Sequence, residues 1–189
     1  MIEFSRKRDT AALAVGLANT WDVYIREAMG RDPELLRDAS ALRRLLRFYR
    51  QERLARRVRA GDLGPVRALR DQLRAAFEAP SEADAVELLN AILRRSGSVT
   101  QLVRAGNGWV YRHHAADASL VDTLATMTSI ALLEVIRTQG WGRFGLCAAD
   151  PCCCVFIDSS RNRSRRYCSN LCADRVSQAA YRRRARARR

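Results

Sequence analysis

Across the first 95 residues, apolar side chains recur every three or four positions, the spacing that places them on one face of an α-helix. The pattern predicts a first helix over residues 10–29. A second helix is predicted to begin at an Asp32 cap and to continue to a break at Gly61. Pro65 and Ser81 are predicted to open two more helices. The apolar positions that carry this spacing are Leu13, Leu17, Trp21, Tyr24, Ile25, Leu42, Leu45, Leu46, Tyr49, Leu54, Val66, Leu69, Leu73, Phe77, and, on the predicted buried side of the last helix, Val86, Leu89, Ile92 and Leu93.

The periodicity changes after residue 98, where SVTQLVRAGNGWVYRHH places short apolar runs on either side of Gly106-Asn107-Gly108. A glycine–asparagine–glycine turn between such runs predicts a β-hairpin. Asp117 is then predicted to cap a long helix that ends near Gln139, and Gly140 is predicted to stop it. The segment GWGRFG, residues 140–145, is predicted to be a linker.

Length and composition limit the class of protein. A chain of 189 residues with 48% apolar residues has room for one medium domain, or for one domain with a small appended module. No apolar run approaches the roughly 18–20 residues of a membrane-spanning helix. The basic start RKRDTAALAVGLAN lacks small cleavage-site residues after its apolar run, which argues against a signal peptide. We therefore expect a cytoplasmic protein without a membrane partner, in a reducing compartment where clustered thiols bind metal or perform redox chemistry.

The positive charge is concentrated in the last quarter of the chain. The net charge of the whole chain is +14. Residues 143–189 hold twelve arginines against three aspartates, a formal +9 in 47 residues, whereas the first 142 residues carry +5. A basic segment of this kind indicates a polyanionic partner such as nucleic acid. A solvated tail is the alternative.

All six cysteines lie in this same segment. Cys147 and Cys152 are separated by four residues, Cys168 and Cys172 by three, and fifteen residues lie between the two pairs. Two close pairs joined by a short segment are typical of structural zinc sites with four thiolate ligands, because each pair forms one edge of the tetrahedron.

The residues around the cysteines predict a small zinc module. VFID, residues 155–158, and RRYC, residues 165–168, are predicted to pair as a short hairpin across the SSRNRS turn. Ser169 or Asn170 is predicted to cap a helix that carries the second cysteine pair on one face. A knuckle, a hairpin and a helix in this order predict a treble-clef-like zinc finger.

This finger segment resembles a known family. Its pattern C-x4-C-x3-F-I-D-x-S-R-N-x-S-R-R-Y-C-x3-C-A-D-R is similar to the motif of the CGNR zinc finger family. Upstream, LAVGLANT at residues 13–20 resembles the L-x-N-T signature of that family's partner, the ABATE domain, and DPELLRDASALRRLL resembles the segment that follows it. The resemblance covers nearly the whole chain. It implies a bacterial transcription regulator whose finger binds DNA and whose ABATE domain senses stress or a ligand.

Carried over by position, the resemblance implies that the zinc ligands are Cys147, Cys152, Cys168 and Cys172. The four residues that give the family its name fall on residues 172–175, where Ala173 replaces glycine and Asp174 replaces asparagine. The last cysteine pair is also one residue closer than in many members. An aspartate in the first turn suits the helix dipole but not a phosphate, so the contacts of the family's asparagine are not carried over.

Cys153 and Cys154 stand where the family motif has no thiol. On a β-strand, their side chains would face opposite sides. Three interpretations are open: small packing residues, alternative zinc ligands, or redox-responsive thiols beside the metal.

The arginines of the finger predict a nucleic-acid surface. The turn contributes Arg161, Arg163, Arg165 and Arg166, and the helix contributes Arg175, Arg182 and Arg183. If the helix continues, Arg175, Arg182, Arg186 and Arg189 lie on one stripe, where their guanidinium groups would suit phosphates or guanine edges. The alternative for residues 186–189 is a frayed, nonspecific tail.

Asn19, Thr20 and Trp21 lie where the resemblance indicates an important position on the first helix. A buried amide that bridges backbone groups is one interpretation, and a ligand pocket between the helices and the hairpin is the other. His113 and His114 are predicted to be hairpin or surface residues rather than metal ligands. We find no nucleophile–base arrangement, phosphate-binding glycine loop or carboxylate pair, so we do not expect an enzyme.

Together, these patterns predict a mainly α (α+β) fold. Residues 1–140 are predicted to form an ABATE-like helical domain with one β-hairpin, for sensing or dimerisation, and residues 141–189 a CGNR-type zinc finger with a basic C-terminal helix. The predicted function is a DNA-binding transcription regulator with a structural Zn²⁺. Its predicted partners are duplex DNA, a small-molecule effector and a second copy of the chain. The alternatives are an RNA-binding accessory protein and a redox or protein-interaction zinc module.

Overall fold

A computed structural model of the protein describes residues 2–105, 108–113 and 117–187. Over these residues the fold is mainly helical, with two small antiparallel sheets, as the sequence predicts. The α-helices are α1 (Ile2–Ala18), α2 (Val23–Met29), α3 (Ala39–Phe48), α4 (Glu52–Arg57), α5 (Leu63–Phe77), α6 (Glu82–Arg95), α7 (Leu120–Gln139) and α8 (Asn170–Ala187). The strands are β1 (Gln101–Ala105), β2 (Gly108–Arg112), β3 (Phe144–Leu146) and β4 (Val155–Ile157).

The core lies between α1, α5, α6 and α7, which pack against one another. Most of its fully buried leucines come from these four helices and from α3, in agreement with the helical spacing of the apolar residues, and Leu36 adds one from the irregular segment before α3. The twenty-residue helix α7 is apolar on most sides, and it also buries several hydroxyl groups. Thr128 satisfies its hydroxyl within the helix by donating to the carbonyl of Leu124 at 2.7 Å.

The prediction of one continuous helix over residues 10–29 is wrong. Helix α1 ends at Ala18, and a new helix, α2, begins at Val23. The carboxylate of Asp22 caps α2 by accepting from the backbone N–H of Ile25 at 3.3 Å. The four residues between the helices form a break, because the side chain of Asn19 bonds to a distant segment described below.

The predicted start of the second helix at Asp32 is also wrong. The carboxylate of Asp32 accepts from the N–H of Glu34, which closes a turn, and α3 begins later, with Asp38 accepting from the N–H of Ala41 at 2.7 Å. Residues 30–38 are held in irregular structure by a β-bridge between Trp21 and Glu34. The long helix predicted to reach Gly61 is interrupted as well, because α3 ends at Phe48 and α4 is a separate short helix.

The start of α6 and the end of α7 fall where the sequence places them, whereas α5 begins at Leu63, two residues before the predicted Pro65. The hydroxyl of Ser81 accepts from the N–H of Asp84 and starts α6. Gly140 ends α7 with φ +88°, a conformation that favours glycine. Helix α7 starts at a Ser119 cap rather than at Asp117, since the hydroxyl of Ser119 accepts from the N–H of Asp122 at 3.1 Å.

The predicted hairpin is confirmed. Strands β1 and β2 are antiparallel, with Val103 paired to Val110 and Gln101 paired to Arg112. The turn residues Gly106 and Asn107 lie outside the described part of the chain.

The linker predicted at residues 140–145 is wrong. A short 3₁₀ turn over Trp141–Arg143 leads directly into β3, and β3 pairs with β4. The ring of Phe144 stacks on Phe77 of α5, with ring centres 4.4 Å apart. The predicted pairing of residues 155–158 with 165–168 is also wrong, because β4 pairs with β3 in a two-stranded sheet and the backbone of Val155 bonds to the side chain of Asn19.

Candidate metal centre and surrounding surface

The first cysteine pair lies on a tight loop between β3 and β4. Cys147 follows β3 directly, and its N–H donates to the carbonyl of Cys154 at 2.9 Å. The N–H of Cys152 donates to the carbonyl of Ala149 at 2.7 Å, which closes the turn between the two cysteines. The paired strands and this turn bring both thiols to the same end of the small sheet.

The second cysteine pair lies at the start of α8. The hydroxyl of Ser169 accepts from the N–H of Cys172 at 3.4 Å, so Ser169 is the helix cap and Cys172 lies in the first turn. The N–H of Cys168 donates to the sulfur of Cys147 at 3.4 Å, which joins the two pairs.

The four sulfur atoms form a compact cluster. The Sγ atoms of Cys147, Cys152, Cys168 and Cys172 all lie within 4.8 Å of one another. Cys152 and Cys168 are 3.7 Å apart, and Cys168 and Cys172 are 3.6 Å apart. A tetrahedral zinc ion with bonds of about 2.3 Å would place its sulfur ligands about 3.8 Å apart. The cluster therefore fits Zn²⁺.

The electrostatics of the cluster suit a bound cation. Burial raises the pKa of Cys168 to about 12 and raises the pKa of Cys152 well above its usual value. Burial acts in the same direction on Cys147, but backbone hydrogen bonds from Cys168 and Ala149 outweigh it and lower the pKa of that thiol. Four thiolates in so small a volume repel one another, and a divalent cation offsets that repulsion. With four thiolate ligands, Zn²⁺ would be structural, because a tetrahedral ion then has no open position.

Cys153 and Cys154 precede β4, so the alternation of side chains along a strand does not apply to them. The half-buried side chain of Cys154 packs against the cluster, and burial raises the pKa of its thiol. The carbonyl of Cys153 accepts from Nη2 of Arg74 in α5 at 2.8 Å. The backbone of both residues thus supports the loop that carries Cys152.

A buried carboxylate organises the loop between β4 and the second cysteine pair. Asp158 accepts from the N–H of Ser160 at 2.7 Å and from the N–H of Arg165 at 3.0 Å. Burial raises the pKa of Asp158, but these hydrogen bonds and the charge of Arg143 outweigh it, so the pKa lies below its usual value. Arg143 also donates to the carbonyls of Asp158 and Ser160. The loop is therefore closed around one side chain instead of forming a second hairpin.

The four loop arginines are all exposed, but their contacts differ. Arg165 donates to the carbonyls of Tyr167 and Cys168 and lies over the ring of Phe156. Arg166 lies 5.9 Å from the ring centre of Tyr167. Arg163 donates to the carbonyl of Gln139 at the end of α7, and Arg161 is exposed in the loop.

The helix arginines divide into two groups. Arg182 and Arg183 are exposed on α8. Arg175 is half-buried: its Nη2 donates to the carbonyl of Ala149 at 2.7 Å, and its guanidinium lies 4.3 Å from the ring centre of Tyr24 in α2. The predicted stripe of four arginines thus starts with a residue that makes internal contacts, and Arg189 lies outside the described residues.

A cleft of about 520 Å³ lies between the loop and the start of α8. Its lining residues are Ser159, Ser160, Ser164, Arg165, Arg166, Tyr167, Ser169, Asn170 and Ala173. Sequence reasoning identified the two arginines but missed the serines, because isolated hydroxyl groups carry no spacing signal.

Asn19, Thr20 and Trp21 make three different contacts. The amide of Asn19 donates to the carbonyl of Val155 at 2.9 Å and accepts from the N–H of Val155 at 2.8 Å. Thr20 donates to the carbonyl of Leu17, and Trp21 has the guanidinium of Arg70 5.6 Å from its ring centre. The amide of Asn19 thus bridges backbone groups of the finger, a partner that sequence reasoning did not identify.

Of the two histidines, His113 lies at the end of the hairpin, where its ring is 3.2 Å from the hydroxyl of Thr100. His114 lies outside the described residues. No helix in the described part of the chain is both long and apolar enough to cross a membrane.

Comparison with known families gives two matches. The profile of the ABATE family, described as "Putative stress-induced transcription regulator", matches residues 11–139. The profile of the CGNR zinc finger matches residues 143–185. Both resemblances that the motifs indicate are therefore confirmed. No curated protein has significant sequence similarity to the chain.

Proposed function

The chain belongs to the ABATE family and carries a CGNR zinc finger, and we propose that it is a transcription regulator whose finger binds duplex DNA. The loop over residues 158–167 and helix α8 would form the contact surface, with the zinc site as their common support. The helical domain would sense a ligand or a stress condition. We propose no catalytic role.

The cleft beside the zinc site is the observation that carries this proposal. It combines two guanidinium groups with serine hydroxyls and the side chain of Asn170. Guanidinium and hydroxyl groups are the donors that most often bind the phosphates of nucleic acids. The formal charge of +9 over residues 143–189 remains +7 after four thiolates and one Zn²⁺ are counted. A polyanion therefore suits this surface better than a neutral partner.

The exposed face of α8 would complete the contact. The arginines on this helix that are exposed are Arg182, Arg183, Arg184 and Arg186. A helix with several arginines can enter the major groove, where guanidinium groups bind guanine edges. Arg175 is not included in this contact surface, since its guanidinium makes internal contacts with Tyr24 and Ala149.

The zinc-loaded full-length protein should be tested by selection from a random duplex pool, run beside a random RNA pool. We expect enrichment of one duplex sequence, with binding that weakens steeply as salt is added. Each phosphate contact should contribute about 0.9 to the slope of log K against log salt. Absence of binding to either pool at low salt would overturn the proposal.

A charge-matched pair of variants refines this test. Arg166→Ala removes a cleft guanidinium, whereas Arg94→Ala removes an exposed arginine of α6. We expect Arg166→Ala to lower both the affinity and the salt slope, and Arg94→Ala to leave both unchanged. Equal effects would mean that only the net charge attracts nucleic acid.

A second candidate function, binding of RNA or another single strand, is favoured by one observation. Tyr181 is 71% exposed on α8, next to the exposed arginines. Exposed aromatic rings beside arginines stack on unpaired bases. If this is the function, the RNA pool should be enriched at least as strongly as the duplex pool, and Tyr181→Ala should weaken RNA binding more than duplex binding.

A further inference from the structure

The zinc finger is docked on the helical domain by specific contacts. Val155 of β4 is fully buried and belongs to the same apolar core as the leucines of α1 and α5. Phe144 of β3 stacks on Phe77 of α5. The finger therefore contributes residues to the core of the other domain, and its position is set by that core.

Asn19 makes the most specific of these contacts. Its carboxamide pairs with both backbone groups of Val155, at 2.9 and 2.8 Å, so the contact reproduces the pairing of one residue with a neighbouring strand. Val155 lies three residues after the zinc ligand Cys152. A primary amide is the only common side chain of this length that can donate and accept in one plane, which explains why asparagine is needed here.

Two further contacts hold the same loop. Arg74 of α5 donates to the carbonyl of Cys153, next to the ligand Cys152. Arg175 bridges Tyr24 of α2 to the carbonyl of Ala149, in the turn between Cys147 and Cys152. The helical domain thus contacts the chain immediately after the second ligand directly, through Arg74, and it reaches the turn through Arg175 of α8.

We propose that Asn19 is a positioning residue for the zinc site: through Val155, the helical domain holds the loop that carries Cys152 and thereby raises the affinity for zinc. The loop would otherwise have to be ordered by the metal itself, at a cost in binding free energy. The proposal concerns metal binding in the free protein, so it stands or fails independently of nucleic-acid binding.

The coupling must be reciprocal, because two linked equilibria change each other by the same factor. If the docked helical domain strengthens zinc binding, bound zinc stabilises the docked helical domain. Removing zinc should therefore lower the thermal stability of helices that do not touch the metal.

The first experiment measures zinc affinity in full-length Asn19→Ala by competition with a chromophoric chelator. We expect zinc to bind roughly tenfold more weakly than in the wild type, the factor that corresponds to the loss of an ordinary hydrogen bond to a buried group. Ile92→Val is the control, because it removes one methylene group from the core on α6, a helix that packs against α5 and α7. Its zinc affinity should stay within twofold of the wild type.

Asn19→Asp separates positioning from space-filling. Aspartate keeps the size of the side chain and its acceptor but loses the N–H that donates to the carbonyl of Val155. We expect its zinc affinity to fall at least as far as that of Asn19→Ala. Wild-type affinity in Asn19→Asp, or an equal loss of affinity in Asn19→Ala and Ile92→Val, would overturn the proposal.

The wild type provides a test that does not depend on whether a variant folds. Amide hydrogen exchange is measured for α1 and α5 in the zinc-loaded and chelator-stripped protein. Exchange that is faster in the stripped protein than in the zinc-loaded protein, at the ends of α1 and α5 that face the finger, supports the coupling. Unchanged exchange throughout these helices, with zinc fully removed, contradicts it.

Discussion

At the scale of single residues, the buried Asp158 carboxylate shows how one side chain determines the course of a loop. It accepts backbone hydrogen bonds from Ser160 and Arg165 and lies near Arg143, and together these contacts lower its pKa. A group with a lowered pKa stabilises the fold above its unfolded-state pKa of about 3.9, and that stabilisation is lost as the pH falls through the folded-state value.

We expect Asp158→Asn to lower the free energy of unfolding of the zinc-loaded protein by about 1–3 kcal/mol at neutral pH, because the substitution removes a charge that offsets buried donors. Below about pH 4 the difference between the variant and the wild type should shrink, since the wild-type carboxylate becomes protonated. Chemical denaturation at several pH values measures both effects. Asp174→Asn, at an exposed position of α8, is the control, and a similar loss there would contradict this account.

Arg175 and Arg182 should respond differently to truncation. Arg175→Ala removes the bridge between Tyr24 and Ala149, so we expect faster zinc release to a chelator and a loss of about 1–3 kcal/mol in stability. Arg182→Ala should leave zinc release unchanged and reduce the affinity for nucleic acid. Stopped-flow chelation and binding titrations distinguish the two residues, and a normal zinc release rate in Arg175→Ala would show that its internal contacts are dispensable.

The zinc ligands could be predicted residue by residue, whereas the partner of Asn19 could not. Ligand spacing is local, because each cysteine pair spans one turn of chain. The contact between Asn19 and Val155 joins residues 136 positions apart, and nothing in the composition of either segment indicates it. The internal role of Arg175 was hidden for the same reason, since its position in the motif is compatible with an exposed or a buried guanidinium.

At the scale of secondary-structure elements, helical periodicity predicted the buried faces of α1, α3, α5 and α6, but α2 has no buried residue, and the helix ends were predicted less well. Ser81 caps α6 as predicted. Asp32 and Asp117 were predicted to cap α3 and α7, but Asp38 and Ser119, a few residues later, cap these helices instead. Several capping residues stand close together at these places, and tertiary contacts such as the bridge between Trp21 and Glu34 decide among them. The predicted partner of β4, residues 165–168, was wrong because strand pairing is a contact between separate segments, and the loop that carries Cys147 and Cys152 brings β3 beside β4.

The small sheet of β3 and β4 makes a prediction at this scale. A Cβ atom at Gly145 would lie 2.5 Å from the ring of Phe156, whereas one at Gly142 would have no neighbour within 4 Å. We expect Gly145→Ala to destabilise the protein by about 1–3 kcal/mol through overpacking, and Gly142→Ala to have a much smaller effect. Thermal unfolding of the two variants checks this, and equal melting temperatures would mean that the ring of Phe156 can move aside at little cost.

At the scale of the whole molecule, the predicted mainly α fold and the two family assignments are confirmed, but residues 140–145, predicted to be a linker, form a 3₁₀ turn and the start of β3. Composition suggested a spacer because glycine and aromatic residues alternate there. The glycine at 145 is needed instead for close packing inside a sheet, and Phe144 is needed for the stack on Phe77.

Metal content makes a prediction at this scale. Cys168→Ser should lose bound zinc, because one vertex of the thiolate tetrahedron is removed, whereas Cys153→Ser and Cys154→Ser should keep one zinc per chain. Elemental analysis of the purified proteins measures this. Full zinc retention in Cys168→Ser, or loss of zinc in Cys154→Ser, would contradict this set of four ligands.

The burial of Val155 in the helical core limits how this chain can be recombined with others. A chimera that joins the finger to an unrelated sensor would leave the side chain of Val155 without its core neighbours and the backbone groups of Val155 without the carboxamide of Asn19. A working graft would have to carry the ends of α1 and α5 along with the finger. The unit that can be transplanted is thus larger than the zinc module, because it includes residues that match the ABATE profile as well as residues that match the CGNR profile.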